Sequence, residues 1–364
     1  MRYSEYGKTG KMVSALGFGG MRFSEPHKTD EMAAIVTHAY DKGINYLDTA
    51  PGYCEDQSEI IMGRAITELK RRAELPFYVS TKSMKVTADD LRRDLERSLR
   101  RLNVDTIDFY HCWYLLKPGE IDKRIAGGAV EAMMRAQEEG LINHVTFSTH
   151  LPGPEIVKVI DRDLFEGVLL GYSAINFRYR EEGISAASAK GMGVVVMNPL
   201  GGGTIVNNEE SFGYLKVHEN QNMLDGALHF LLNEERINVR LVGFRDKHDI
   251  DTAVASVDSF VPYTADEIQI LRSGSNEKFN ALCTGCTYCK DCPVDIPVWK
   301  FVETANLLYI KDGESVKDHL KYYWGVSINE LDACINCRKC EEACTQHLPI
   351  LDRFEELKAA LKEG

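Results

Sequence analysis

Eight of the ten cysteines in this 364-residue chain fall between Cys283 and Cys344, and no other feature restricts its fold as much. They form two runs, Cys283-x-x-Cys286-x-x-Cys289-x-x-Cys292-Pro293 and Cys334-x-x-Cys337-x-x-Cys340-x-x-x-Cys344. Three thiolates spaced by two residues wrap one face of a cubane, and a more distant fourth closes the coordination. In two-cluster ferredoxins that fourth cysteine ligates the other cluster. The spacing therefore predicts two [4Fe–4S] clusters. Cys283, Cys286, Cys289 and Cys344 would hold one, and Cys334, Cys337, Cys340 and Cys292 the other. The runs depart from the pattern in three ways. The first is one residue short before its last cysteine, the second ends in Thr345 rather than proline, and residues 293–333 separate them. Zinc ribbons use paired Cys-x-x-Cys units, not a triplet plus one, which disfavours structural zinc. A disulfide framework would spread its bridges along the chain and follow a signal sequence.

The shift in cysteine density places a domain boundary near residue 275. The length suits a barrel of roughly 250 residues plus an appendage. Upstream, strand-like apolar runs are expected over 15–18, 44–48, 77–81, 106–111, 144–148, 167–171, 193–197 and 239–242, after an N-terminal hairpin turning at Gly7-Lys8-Thr9-Gly10. Amphipathic helical stretches alternate with them, for example over 29–42, 88–102, 127–139 and 224–233. Phe18-Gly19-Gly20-Met21 does not open a helix at dinucleotide-fingerprint spacing, which turns the choice from a doubly wound sheet to a (β/α)8 TIM barrel over 1–275. A small, mainly α-helical, ferredoxin-like domain is expected over 276–364, with helices over 296–310, 316–323 and 350–361. Tyr322, Tyr323 and Trp324 are expected in its core.

A net charge of −12 repels phosphate backbones and argues against nucleic acid as a partner. The opening Met1-Arg2-Tyr3-Ser4-Glu5 is polar and no run approaches the length that spans a bilayer, so a cytoplasmic protein with no membrane association is expected.

Barrel strands converge at their C-terminal ends. Three such ends carry four residues: Asp48 with Tyr53 just beyond it, Lys82 and His111. Carbonyl reduction needs a proton donor, and a tyrosine is a poor one at neutral pH unless an ammonium favours its phenolate. Lys82 supplies that charge, Asp48 would hold Lys82, and His111 would orient the substrate oxygen. Cys54 and Cys112 are expected to be packed thiols.

Residues 1–275 resemble the aldo/keto reductase superfamily. The resemblance is carried by Gly43-Ile44-Asn45-Tyr46-Leu47-Asp48-Thr49-Ala50-Pro51-Gly52-Tyr53, Ser80-Thr81-Lys82, Phe147-Ser148-Thr149-His150 and Asn198-Pro199-Leu200-Gly201. The whole chain resembles the subgroup with a C-terminal 4Fe-4S ferredoxin-type domain. The resemblance implies catalytic roles for Asp48, Tyr53 and Lys82. The family places its histidine where Trp113 stands here, which leaves His111 or His150 to take that role. It also implies NADP(H). Ser148 and Thr149 stand where the family grips the carboxamide, Leu169 stands where it has a glutamine, and Tyr172 would stack on the nicotinamide. The glycines after Pro199, Leu200 and Gly201 would let the backbone approach a pyrophosphate, and Arg245 would meet a 2′-phosphate. The expected activity is that of an oxidoreductase interconverting a small carbonyl compound and its alcohol. Electrons would pass through two [4Fe–4S] clusters, with NADP(H) or a ferredoxin or flavodoxin partner. The competing reading is an electron-transfer or redox-sensing protein that uses the barrel as a scaffold.

Overall fold

The computed structural model describes residues 1–275, 277–310 and 315–362. Residue 276, at the expected domain boundary, lies outside the described residues. The chain packs as two compact units. One comprises Met1–Tyr172, Phe177–Pro199 and Leu228–Pro262; the other comprises Ser173–Asn176, Leu200–Ala227 and the described residues of Tyr263–Gly364.

The first unit opens with an antiparallel hairpin of β1 (Tyr3–Glu5) and β2 (Met12–Ser14). Eight parallel strands follow: β3 (Leu16–Gly19), β4 (Tyr46–Asp48), β5 (Tyr78–Ser83), β6 (Ile107–Leu115), β7 (Ile142–Thr149), β8 (Gly167–Gly171), β9 (Gly193–Met197) and β10 (Val239–Val242). They close into a barrel in sequence order, with β10 pairing to β3. This is the expected (β/α)8 architecture, and the last three strands begin and end where the apolar runs predict. Strand β6 runs on past His111 through Trp113 to Leu115, so His111 lies inside the strand rather than at its end.

The hairpin closes one end of the barrel. Tyr6 is fully buried, its ring 4.3 Å from Phe109, which in turn lies 5.3 Å from Tyr46. Burying each such ring contributes roughly 1.5–3 kcal/mol. Outside the barrel, the helix α1 (Thr29–Asp41) packs on α2 (Ser58–Arg72), and α2 on α3 (Ala88–Leu102). Thr87 caps α3 by accepting from the Asp90 N–H, and Asn103 ends it in the left-handed conformation.

The second unit has its own core, built from Val298, Phe301, Ile350, Phe354 and Leu357 with Cys283 and Cys344 among them. Its longest C-terminal helix is Ile350–Lys362; the expected helix over 296–310 is shorter, Val298–Thr304, and ends in a tight turn. Phe212 packs on Phe279 at 4.7 Å, which ties residues 200–227 to this unit. The aromatic run is not core: Tyr322 and Tyr323 are 73% and 65% exposed, and only Trp324 is partly covered, 4.7 Å from Trp299. The chain from His319 to Tyr323 is a wide turn, so its side chains do not follow a 3.6-residue face. No helix among the described residues is long and apolar enough to cross a membrane.

Candidate functional site

Ser80 and Lys82 stand two residues apart on β5 and so share a face. The parallel register pairs Ser80 with Asp48 on one side, and Lys82 with His111 on the other. Lys82 Nζ donates to both Asp48 oxygens, at 2.8 and 2.7 Å, and Ser80 Oγ donates to Asp48 Oδ1 at 2.7 Å. Both charged groups are buried. Burial pulls Lys82 below the ordinary lysine range and pushes Asp48 up, while their contact with each other opposes both shifts. Two charge-assisted hydrogen bonds plus the Ser80 hydroxyl favour the ionised pair. The ammonium lies 5.4 Å from the centre of the Tyr53 ring, and Trp113 meets that ring edge-on at 5.6 Å.

The Tyr53 loop is held in a costly shape. Cys54, Glu55 and Asp56 all adopt left-handed backbone, at φ 51°, 56° and 65°. Asp56 compensates by accepting from the Gly52 N–H at 3.0 Å and from two Arg101 nitrogens at 2.7 and 2.6 Å. The Arg101 guanidinium holds the Asp56 carboxyl down at about 2. Ser58 donates to Gly20 O at 2.7 Å and meets Thr49 Oγ1 at 2.6 Å. A Cβ on Gly20 would stand 2.6 Å from Ser58 Oγ, so that glycine serves close loop packing.

His111 takes a different place from the one expected. It is fully buried, with Nε2 2.9 Å from Ser80 Oγ and Nδ1 2.8 Å from Thr146 Oγ1. The Ser80 proton goes to Asp48, so the Ser80 contact takes the Nε2 proton. Burial first, and Lys82 second, hold the ring well below the ordinary histidine pKa, hence neutral. A ring engaged at both nitrogens has none left to orient a substrate oxygen. His150 is also buried, 5.9 Å from the Tyr114 ring. Cys112 is a packed thiol that burial pushes up to about 12, and Cys54 lies 3.5 Å from Gly20 O.

The expected cofactor residues are largely committed to other contacts. Thr149 Oγ1 donates to Leu115 O at 2.9 Å and accepts from the Leu151 N–H at 3.0 Å. Ser148 is buried in β7, in register with Leu169, itself part of the barrel interior. Tyr172 is buried with its hydroxyl donating to Glu181 at 2.9 Å. Pro199 is buried, and Gly201, Gly202 and Gly203 after Leu200 all have positive φ. A Cβ on Gly202 would stand 2.1 Å from the Thr284 carbonyl, so this loop lies against the backbone of the first cysteine run. Arg245 is exposed, but its guanidinium donates to both Asp249 oxygens at 2.9 and 3.0 Å, and Asp246 stands beside it. Thr149, Tyr172 and Arg245 thus each have a protein partner for their polar atoms.

The cysteines gather in two sets. Cys292, Cys334, Cys337 and Cys340 line one small cavity, with Ile296 and Phe354 in its wall. Burial pushes the Cys283 thiol well up, and the neighbouring Cys286, Cys344 and Cys289 add to the shift. Backbone N–H groups of Gly285 and Leu348 donate to Cys283 and Cys344 sulfur, each at 3.4 Å. Asn306 clamps the peptide of Cys283 through its N–H at 2.8 Å and its carbonyl at 2.9 Å. Among the described residues, no three His, Cys, Asp or Glu side chains converge on a single metal ion. Four soft thiols around a space in one set, and amide donors aimed at sulfur in the other, fit the donor chemistry of iron–sulfur clusters.

The Aldo/keto reductase family model matches residues 15–275, more than half of the chain. The chain belongs to the aldo/keto reductase family. A second model, described as a 4Fe-4S dicluster domain, matches residues 282–348. L-galactose dehydrogenase of Arabidopsis thaliana is 29% identical over 213 residues, 55% of this chain and 65% of that protein. A probable aldo-keto reductase of Glycine max is 25% identical over 229 residues, 58% of this chain and 64% of that protein. The chain thus spans slightly less than two thirds of these two reductase relatives. The uncharacterised oxidoreductase YrpG of Bacillus subtilis (strain 168) is 29% identical over 232 residues, 56% of this chain and 68% of that protein. The holo form of aldo-keto reductase AKR11C1 from Bacillus halodurans superposes with a TM-score of 0.64 at 24% identity, covering 76% of this chain and 97% of that one, a likeness of fold.

Sequence reasoning missed Ser80 as the hydrogen-bond hub of the barrel site, although its i, i+2 spacing from Lys82 on a strand was a usable signal. Thr146, Arg101 and Asp56 carried none, because their partners are remote in sequence.

Proposed function

We propose that this protein is an iron–sulfur oxidoreductase of aldo/keto reductase type that interconverts a small carbonyl compound and its alcohol. The observation that carries the reading is the buried Asp48–Lys82 pair set against the Tyr53 ring. In the reducing direction the carbonyl carbon would take two electrons and one proton, and the Tyr53 hydroxyl gives the second proton to the carbonyl oxygen as charge develops there. The Lys82 ammonium favours the phenolate left behind, in a dry setting where its charge is weakly screened. Asp48 and Ser80 fix Lys82. His111 acts through Ser80 on Asp48, as a positioning residue rather than a substrate contact. The Trp113 edge walls the tyrosine.

The functional division follows the sequence, with a reductase barrel over 1–275 and a cluster domain over 276–364. Cys283, Cys286, Cys289 and Cys344 would hold one [4Fe–4S] cluster, and Cys334, Cys337, Cys340 and Cys292 the other. Bound clusters supply one-electron transfer, with a ferredoxin or flavodoxin as the class of outside partner. NADP(H) is usual in the family. Arg245, Tyr172 and Thr149 carry contacts within the protein instead. That same engagement favours the second reading, an electron-transfer or redox-sensing protein with the barrel as scaffold.

Anaerobic turnover against a panel of aldehydes, ketones and sugars separates the two. The wild type is expected to turn over a panel member, and Tyr53→Phe to lose about 10²–10⁴ in rate with iron and sulfide content unchanged. An iron-replete wild type inert to the whole panel would favour the scaffold. Retained turnover in Tyr53→Phe would remove that residue from its role.

A further inference from the structure

The second unit contains a line of side-chain hydrogen bonds that ends on a cysteine sulfur. The Ser173 N–H donates to Asn176 Oδ1 at 2.9 Å, and the Ser173 hydroxyl at 3.2 Å. Asn176 Nδ2 donates to Gln346 Oε1 at 3.2 Å, and Gln346 Nε2 donates to Thr345 Oγ1 at 3.3 Å. Thr345 Oγ1 lies 3.3 Å from Cys286 Sγ. Thr345 is fully buried and Asn176 is 2% exposed, so water does not compete for these groups. The direction of the line follows from the donors. An amide N–H points at the threonine oxygen, and a metal-bound Cys286 is an acceptor only, so the Thr345 proton points at sulfur. Each donor polarises the next one along the chain.

Within this unit the two cysteine sets differ. The set of Cys283, Cys286, Cys289 and Cys344 receives N–H donors at two sulfurs and this hydroxyl at a third. In the other set, Cys337 is exposed, the Glu341 backbone hydrogen-bonds Cys340, and Cys334 Sγ meets Asn336 Oδ1, an acceptor, at 3.7 Å. Hydrogen bonds to cluster sulfurs stabilise the more negative, reduced state and raise its potential.

We propose that Thr345 is a positioning residue that raises the reduction potential of the cluster on Cys283, Cys286, Cys289 and Cys344, with Gln346 and Asn176 aligning its hydroxyl from the loop that follows β8. The polar residue that replaces the expected proline after Cys344 thereby has a use. This rests on the ligand sets proposed above.

The test uses the full-length protein, reconstituted anaerobically with iron and sulfide quantified. Wild type, Thr345→Val, Thr345→Ser and Gln346→Leu are each titrated against a series of redox mediators while the reduced clusters are followed by electron paramagnetic resonance. Thr345→Val is expected to lower one midpoint potential and leave the other in place. The shift corresponds to about a tenfold change in the reduced-to-oxidised ratio, or about 59 mV for one electron. Thr345→Ser should restore it, and Gln346→Leu should give a smaller shift in the same direction. Unchanged potentials in iron-replete Thr345→Val, or equal shifts in both clusters, would overturn the proposal. If Thr345→Val loses iron, Gln346→Leu decides, and an unshifted potential there overturns it. A wild type that takes up no iron would instead bring down the cluster reading and the relay with it.

Discussion

In the barrel, Asp48, Ser80, Lys82 and His111 stand on three neighbouring strands, and the parallel register brings them together before any ligand arrives. In the cysteine-bearing unit the eight thiols ride on loops and short turns, such as Tyr288–Lys290 and Lys339–Glu342, beside one longer helix. The barrel site compensates its buried charge internally, Lys82 against Asp48. The cysteine sets do not: burial and neighbouring thiols push Cys289 up to about 12 and Cys340 up to about 11. A metal's positive charge offsets that cost by binding the thiolates. One region is therefore preorganised by strand pairing, and the other is completed by what it binds.

The sharpest way to break this contrast is to unbalance the barrel pair. Lys82→Met leaves the Asp48 charge buried without its partner, at an expected cost of about 3–5 kcal/mol. Denaturant melting of the barrel measures it, and Asp48→Leu added to Lys82→Met should recover part of the loss. If the single variant is as stable as the wild type, the internal compensation is not real.

Next in size is removal of the iron. Because metal binding carries folding free energy, chelation should lower the helical signal of the cysteine-bearing unit and leave the barrel transition in place. Cys283→Ser should disturb that unit more than Cys337→Ser, since the first thiol is buried and the second exposed. Equal thermal shifts from the two would remove the distinction.

A smaller effect is expected at the Tyr53 loop. Arg101→Met frees Asp56 and lets three left-handed residues relax, lowering kcat by about tenfold through misplacement of Tyr53. The same contact has a pH signature. The folded Asp56 value of about 2 lies below the ordinary carboxylate value of about 3.9, so its stabilisation is present above roughly pH 4 and lost as pH falls towards 2. Thermal melts between those limits should be flatter for Arg101→Met than for the wild type. The smallest change belongs to Arg245→Ala. An exposed side chain paired to Asp249 should alter NADPH affinity, measured by fluorescence titration, within about twofold. A large loss would return Arg245 to a phosphate site.

The two regions were legible to different depths. Strands β8, β9 and β10 were readable to the residue because each is rich in valine or leucine and is bounded by turn formers or glycine. The concentration of cysteines near the C-terminus was readable directly, and the 4Fe-4S dicluster model matches there. The interior place of His111 was not legible, because a stretch of aromatic residues conceals where β6 stops. Once the strand runs to Leu115, a residue four positions earlier is interior. Tyr322 and Tyr323 were misread because a wide turn breaks the helical period on which their burial was argued. Tyr172 and Arg245 have the right chemistry for a nucleotide, but Glu181 and Asp249 claim them, and pairings of that kind are settled by packing. Thr345 illustrates the same limit. Its partners come from residues 176 and 286, which no local pattern connects to it.

The central claim is that the Tyr53 proton and the cluster electrons serve one reaction. It is tested most directly by reducing the iron-replete protein with dithionite, removing the excess reductant, and mixing it anaerobically with a carbonyl substrate found in the panel. The account predicts that the visible absorbance of the oxidised clusters returns as the alcohol forms, one carbonyl consuming two electrons and two protons, and that Tyr53→Phe stalls this return. Clusters that stay reduced with every carbonyl, or that reoxidise equally fast in Tyr53→Phe, would contradict it.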